Sequence, residues 1–202
     1  MNELNLYAII QAIFDKSKVI EGRFHIAPGE GSELNTNQLD QIVVDMLGAI
    51  TESKKFPLVM GLPPVEIINP SNPGWSRFKM KLLFLTPFES NQGLIKMHNR
   101  NNNTSGHPIH YDWKDMRECA QDFISAFEYV VRKAGAMDKI RPVDSESLFI
   151  DRHTKLGNDK CNGVSITISV DIYLPCEMAD YRTNELDAIQ VNLGNIHPIH
   201  KH

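Results

Sequence analysis

The sequence lacks the features that mark several large classes of protein. Its 202 residues contain only three cysteines, Cys119, Cys161 and Cys176, and none forms a CxxC pair. Neither a disulfide framework nor a zinc site is therefore expected. No apolar run approaches the roughly 20 residues that a membrane-spanning helix needs, and residues 1–6 lack the pattern of a secretory signal. These absences predict a cytoplasmic product with reduced thiols and no membrane partner.

An excess of basic charge is also missing. The chain has 21 Lys and Arg against 25 Asp and Glu, for a formal net charge of −4, whereas a protein that coats DNA or RNA is usually basic. The 42% hydrophobic and 23% charged residues are ordinary for a folded protein. The length fits one domain over residues 1–202. Within it we expect an N-terminal helix and loop (1–36), a core (37–175) and a C-terminal extension (176–202).

Motifs for nucleotides and metals are absent as well. The sequence has neither GxxxxGK[ST] nor GxGxxG after a predicted strand, so no backbone cradle for phosphate is expected. His98, His107 and His110 fall in one segment, but no carboxylate or cysteine completes a ligand set at fixed spacing. We therefore predict no cofactor and no metal site.

Hydrophobic periodicity predicts the secondary structure. Apolar residues spaced as on one helical face indicate helices over 4–17, 37–52 and 112–134, and Asp112 is the expected N-cap of the third. Alternation indicates strands over 75–86 and 164–174, the latter paired in a hairpin with 147–154. Shorter extended pieces are expected at 58–60 and 65–68, and the stretch that contains them is expected to be an edge strand or a bent one because Pro63 and Pro64 remove two backbone donors. This order predicts an α+β fold with an antiparallel sheet and helices on one face.

Two details of this pattern bear on the surface of the fold. Leu83 and Leu85 break the alternation of their strand, so its far end is expected to be buried on both sides. Residues 89–110 are rich in asparagine and have little to bury, which predicts a long exposed loop of the kind that often serves function.

A row of basic residues is the first candidate for a functional surface. Arg77, Lys79 and Lys81 alternate along one predicted strand, with Trp75 beside them. Basic and aromatic side chains can grip a single nucleic-acid strand, but lysines on a strand face also keep it solvated. A third interpretation is a salt-bridged contact between subunits. The interface candidates are Arg77, Lys79, Lys81, Arg100, Asn102, Asp159, Asp180, Glu185 and Asp187.

The pair Asp151 and His153 is the second candidate. The two residues share a strand face by parity and lie near the turn that holds Asp159. An aspartate can orient and polarise an imidazole for acid–base work. No serine or cysteine stands in a recognised nucleophile motif beside them, although Cys161 on the adjacent turn stays open as a nucleophile. A polar strand end beside a turn explains the same residues.

The order of elements resembles that of the tail-terminator and neck-ring proteins of tailed bacteriophages. It consists of a helix over 39–50, a strand over 78–84, a helix over 113–134 and a hairpin over 148–174, and the resemblance covers about residues 37–175. It implies a non-enzymatic virion subunit that forms a ring, as a hexamer or a dodecamer. Such a ring caps the tail tube, joins it to the head connector and lets DNA pass through its lumen without specific binding.

Two interpretations from other classes stay open. One is a small cytoplasmic enzyme that uses Asp151 and His153. The other is a nucleic-acid or protein adaptor that acts as a monomer or dimer through Arg77 and Lys79. In the ring interpretation, Arg77, Lys79 and Lys81 are expected to meet acidic residues of the next subunit, such as Asp180, Glu185 and Asp187.

Overall fold

A computed structural model describes residues 3–27, 36–51, 55–68, 74–87, 95–98, 103–106, 109–133, 140–142 and 150–173 of the chain. The described residues form three helices, α1 (Glu3–Asp15), α2 (Thr36–Ala49) and α3 (Ile109–Lys133). They also form nine strands: β1 (Phe24–Ile26), β2 (Leu58–Gly61), β3 (Val65–Ile68), β4 (Trp75–Thr86), β5 (Ile95–His98), β6 (Asn103–Gly106), β7 (Ile140–Pro142), β8 (Ile150–Leu156) and β9 (Cys161–Tyr173).

Seven strands build one mixed sheet around the long pair β4 and β9. The order is β1-β2-β4-β9-β7, with β3 also beside β4 and β8 also beside β9. β4 and β9 pair antiparallel from Trp75 opposite Tyr173 to Thr86 opposite Asn162. The predicted α+β class is confirmed. The sheet is not purely antiparallel, because β1, which was not predicted, pairs parallel with β2.

One face of the sheet packs against α1 and α3 and carries the larger core. Side chains alternate across a strand, so every second residue of β4 and β9 points to this face. The buried strand residues there are Phe78, Met80, Leu82 and Phe84 on β4 and Val164, Ile166, Ile168, Val170 and Ile172 on β9. Phe14 joins α1 to this core, because its ring stacks on Phe123 of α3 at a centroid distance of 4.8 Å.

The opposite face is covered at one end by α2. Leu83 and Leu85 of β4 lie in a second buried cluster with Val43 and Leu47 of α2. The prediction of helices on one face is therefore wrong for α2, and the reason is that Leu83 and Leu85 need apolar cover on their own side. The prediction that this end of the strand is buried on both sides is confirmed.

Two further differences concern the segment 89–110 and the start of α3. The expected loop over 89–110 contains an antiparallel pair, β5 with β6, whose backbone hydrogen bonds need no apolar side chains. α3 begins at Ile109, so Asp112 lies in its first turn instead of capping it. There the Asp112 carboxylate accepts a hydrogen bond of 2.7 Å from the buried Asn162 amide. The predicted extension 176–202 lies outside the described residues.

Candidate functional site

The candidate site is the part of the sheet that faces away from α1 and α3, beyond the end that α2 covers. We call it the polar face. The register aligns four side chains of each central strand there: Trp75, Arg77, Lys79 and Lys81 on β4 opposite Tyr173, Asp171, Ser169 and Thr167 on β9. All eight residues are at least partly exposed. The predicted basic row and its neighbouring tryptophan therefore do share one accessible surface.

An ion pair at the centre of the polar face ties the two strands together. Arg77 Nε lies 2.8 Å from Asp171 Oδ1, and Arg77 Nη2 lies 3.2 Å from Oδ2. Such a two-pronged contact fixes the guanidinium plane as well as its charge. The two side chains stay about one-third exposed, so the pair is accessible from solvent. Arg77 of the basic row is thus already paired with an acidic residue of the same chain.

Aromatic side chains form one end of the polar face. The rings of Trp75 and Tyr173 lie 5.4 Å apart and are tilted by 51°. The Arg141 guanidinium of β7 lies 4.2 Å from the Trp75 ring centroid, within the range of a cation–π contact. Sequence reasoning missed Arg141, because a strand of three residues has no detectable period. It adds a fourth cation to the row Arg77, Lys79 and Lys81.

The other end of the polar face holds Asp151 and His153 of β8. The register sets both on the side of Lys81, as their parity predicted. The Asp151 carboxylate lies 3.8 Å from Lys81 Nζ. His153 Nε2 lies 2.8 Å from Ser165 Oγ. Asp151 therefore contacts a lysine, while the imidazole binds a serine of the neighbouring strand.

The electrostatics of this end limit its chemistry. Burial lowers the pKa of His153, and the nearby Lys81 charge lowers it further against an opposing effect of Asp151. A neutral imidazole beside a hydroxyl is the starting state of a general base. Ser165, however, has no exposed surface. Burial also raises the pKa of the Cys161 thiol to about 12. Neither group is poised to attack a substrate.

Strand β3 forms an apolar border of the polar face. Val65 pairs with Lys79 and Ile67 pairs with Arg77, so these apolar side chains point to the same side as the basic row. Val65 is 37% and Ile67 is 43% exposed. The prediction that the stretch over 58–68 is an edge strand or a bent one is confirmed. It breaks at residues 62–64 into β2 and β3, which both pair with the same side of β4.

The remaining predicted residues are scattered. Asp159 is exposed in the turn between β8 and β9, away from the basic row in the register. Arg100, Asn102, Asp180, Glu185 and Asp187 lie outside the described residues.

The described residues also bear on metal binding and on membrane insertion. Among the described residues, no three His, Cys, Asp or Glu side chains are grouped so as to hold a metal ion. None of the three described helices is long and apolar enough to cross a membrane. No protein-family model matches the chain, and no curated protein is similar to it. The function is therefore inferred from the polar face and its border.

Proposed function

We propose that this protein is a structural subunit that closes into a ring with copies of itself in a phage tail or neck. The ring caps the tail tube, contacts the tube and connector proteins, and encloses the path of the DNA. The observation that carries the self-assembly is strand β3, an exposed apolar edge that borders the basic polar face. The phage setting rests on the resemblance in element order.

The β3 edge is suited to pairing with another chain. Among the described strands β3 pairs only with β4, and all four of its residues are exposed. Ile68, on the other face of this strand, is 73% exposed. An open edge with apolar side chains is a ready template for a neighbouring chain, and proteins usually guard such edges.

The other edges of the sheet carry features that oppose pairing. β7 ends at Pro142, which has no N–H to donate. β8 exposes Asp151 and Arg152 and is interrupted by an irregularity between His153 and Leu156. β1 is only three residues long. This contrast supports β3 as the edge used in the proposed assembly.

The polar face supplies the charge for the same contact. A ring needs two different surfaces of one chain that meet by rotation. Val65, Ile67, Lys79 and Lys81 form one such surface, and the acidic residues of 177–187 in the next subunit are its proposed partner. Replacing Arg77 would break its two-pronged contact with Asp171. We therefore assign the intersubunit charge to Lys79 and Lys81 and test it there, although Lys81 also lies 3.8 Å from Asp151 of its own chain.

The test is the assembly state of the full chain, measured by native mass spectrometry and negative-stain microscopy. We expect closed rings of about six or twelve copies. Ile67→Asp is expected to reduce ring formation, because it buries a charge in the apolar border. The matched control is Val19→Asp, which changes a side chain of similar exposure (48%) outside the sheet.

A second variant tests the charged contact between subunits without removing the ion pair that ties β4 to β9. Lys79→Ser/Lys81→Ser leaves the Arg77–Asp171 pair in place. We expect this variant to form fewer rings and to make ring formation less sensitive to salt. Mixing the wild-type chain with tail-tube protein then tests the capping role. A chain that stays monomeric both alone and with the tube protein, or rings that form equally well in both variants, would contradict the proposal.

A further inference from the structure

A second site lies on the other side of the sheet, in a cleft between α3 and strands β8 and β9. Its volume is about 670 Å³, within the range of about 300–1,000 Å³ that small-molecule sites occupy. The apolar lining comes from Trp113, Ile150 and Val164, and the charged lining from Lys114, Arg117, Glu118 and Arg152. None of these residues belongs to the polar face.

The apolar floor of the cleft is held in position by its neighbours. Trp113 Nε1 donates a hydrogen bond of 3.0 Å to the His153 carbonyl, which anchors α3 to β8. The His110 ring approaches the edge of the indole at a centroid distance of 5.4 Å. A fixed aromatic surface of this kind favours a flat ligand, because little side-chain freedom is lost on binding.

The charges of the cleft do not balance. Lys114 pairs with Glu118 at 3.0 Å on the same helix, and these two charges offset each other. Arg117 and Arg152 remain, and in the part of the chain that the structure describes neither forms an ion pair. The Arg152 guanidinium rests 5.4 Å from the Trp113 ring centroid. Two arginines are thus left for an anion.

We propose that this cleft binds a phosphomonoester that carries a flat apolar group, with the size of a nucleoside monophosphate. A phosphomonoester carries a charge of about −1.5 to −2 near neutral pH, which matches two guanidinium groups better than a single carboxylate does. Arginine also matches phosphate geometry with paired donors. Recognition here uses side chains alone, and a search for glycine-rich phosphate motifs cannot detect such a site.

The test uses the tryptophan in the floor of the cleft. The chain has two tryptophans, so Trp75→Phe leaves Trp113 as the only one. We expect adenosine monophosphate to change the emission of this variant with a saturable dependence on concentration. Arg117→Ala is expected to weaken the affinity about tenfold or more, since a charge-assisted contact is lost. Calorimetry on the unmodified chain provides a second readout.

The control is Arg132→Ala, on the same helix and away from the cleft, which should leave the affinity unchanged. Adenosine and inorganic phosphate serve as partial ligands, and each is expected to bind at least about tenfold more weakly than the monophosphate. The proposal is overturned if the monophosphate gives no saturable response. It is equally overturned if Arg117→Ala binds as well as wild type, or if phosphate or adenosine alone binds as tightly.

Discussion

The replacement of Phe14 by alanine tests how the helical layer is held on the sheet. Phe14 is 2% exposed. Its ring stacks on Phe123 at 4.8 Å and 13°, and it also meets Phe24 at 5.4 Å and Phe84 at 5.9 Å. One side chain therefore links α1 to α3, β1 and β4. Its loss leaves a cavity where these four elements converge.

The expected cost follows from the burial and the ring contacts. Removing a buried phenyl group typically lowers the free energy of unfolding by about 3–5 kcal/mol, a range that includes the cavity. The three aromatic neighbours put Phe14→Ala in the upper half of this range, at about 4–5 kcal/mol. Phe14→Leu keeps much of the volume and is expected to cost about 1–2 kcal/mol.

Urea unfolding of the full chain measures these values. With a slope of about 2 kcal/mol per molar urea, Phe14→Ala should lower the midpoint by about 2 M. Val19→Ala is the control, because its side chain is 48% exposed and the change should stay within about 0.5 kcal/mol. If Phe14→Ala costs less than about 1 kcal/mol, α1 does not pack on α3 through this ring, and the account of the larger core is wrong.

Two glycines and one histidine give further predictions. Gly163→Ala should unfold the protein or destabilise it by several kcal/mol, because the added Cβ meets the Phe84 carbonyl oxygen. At Gly48 an added Cβ meets nothing within 4 Å, so Gly48→Ala should instead stabilise the protein by about 0.5–1 kcal/mol. Thermal unfolding measures both variants, and equal shifts of their melting temperatures would contradict both predictions. The lowered pKa of His153 means that the unfolded state binds the proton first. As the pH falls through the ordinary histidine pKa, the wild-type protein should therefore lose stability relative to His153→Gln. A stability difference between the two proteins that does not change with pH would refute this linkage.

The main elements of the fold follow from local patterns. The alternation over 75–86 predicted β4 with the bounds that the structure has, because one buried face leaves a clear period of two. β1 and β7 escaped detection because three residues cannot display a period. The position of α2 on the other face also lay beyond the local pattern of the helix, although Leu83 and Leu85 already marked the surface that it covers.

The candidate site was likewise only partly predictable from the sequence. The basic row was visible, since Arg77, Lys79 and Lys81 lie on one strand. Their acidic partners Asp171 and Asp151 and the further cation Arg141 belong to strands far away in the sequence, and only the register brings them together. The cleft beside α3 was not predicted at all, because α3 and β8 contribute its residues without any motif spacing.

The distribution of charge links these surfaces to the net charge of the chain. Within the described polar face, four cations, Arg77, Lys79, Lys81 and Arg141, stand against Asp171 and Asp151, while the whole chain carries −4. Residues 174–202 contribute four acidic and two basic residues. One chain thus carries both a basic face and a sequence segment of net acidic charge, a combination that fits the proposed ring because a closed ring uses two unlike surfaces of one chain.

That combination leads to one more test of the ring. Replacing Asp180, Glu185 and Asp187 by the uncharged Asn, Gln and Asn should weaken assembly about as much as Lys79→Ser/Lys81→Ser does, because both remove the same attraction. Combining the two sets should then cost little more than either alone, since partners in one contact are not additive. Native mass spectrometry of the three variants at one ionic strength measures this. Fully additive losses would show that the basic face and the acidic segment act in separate contacts.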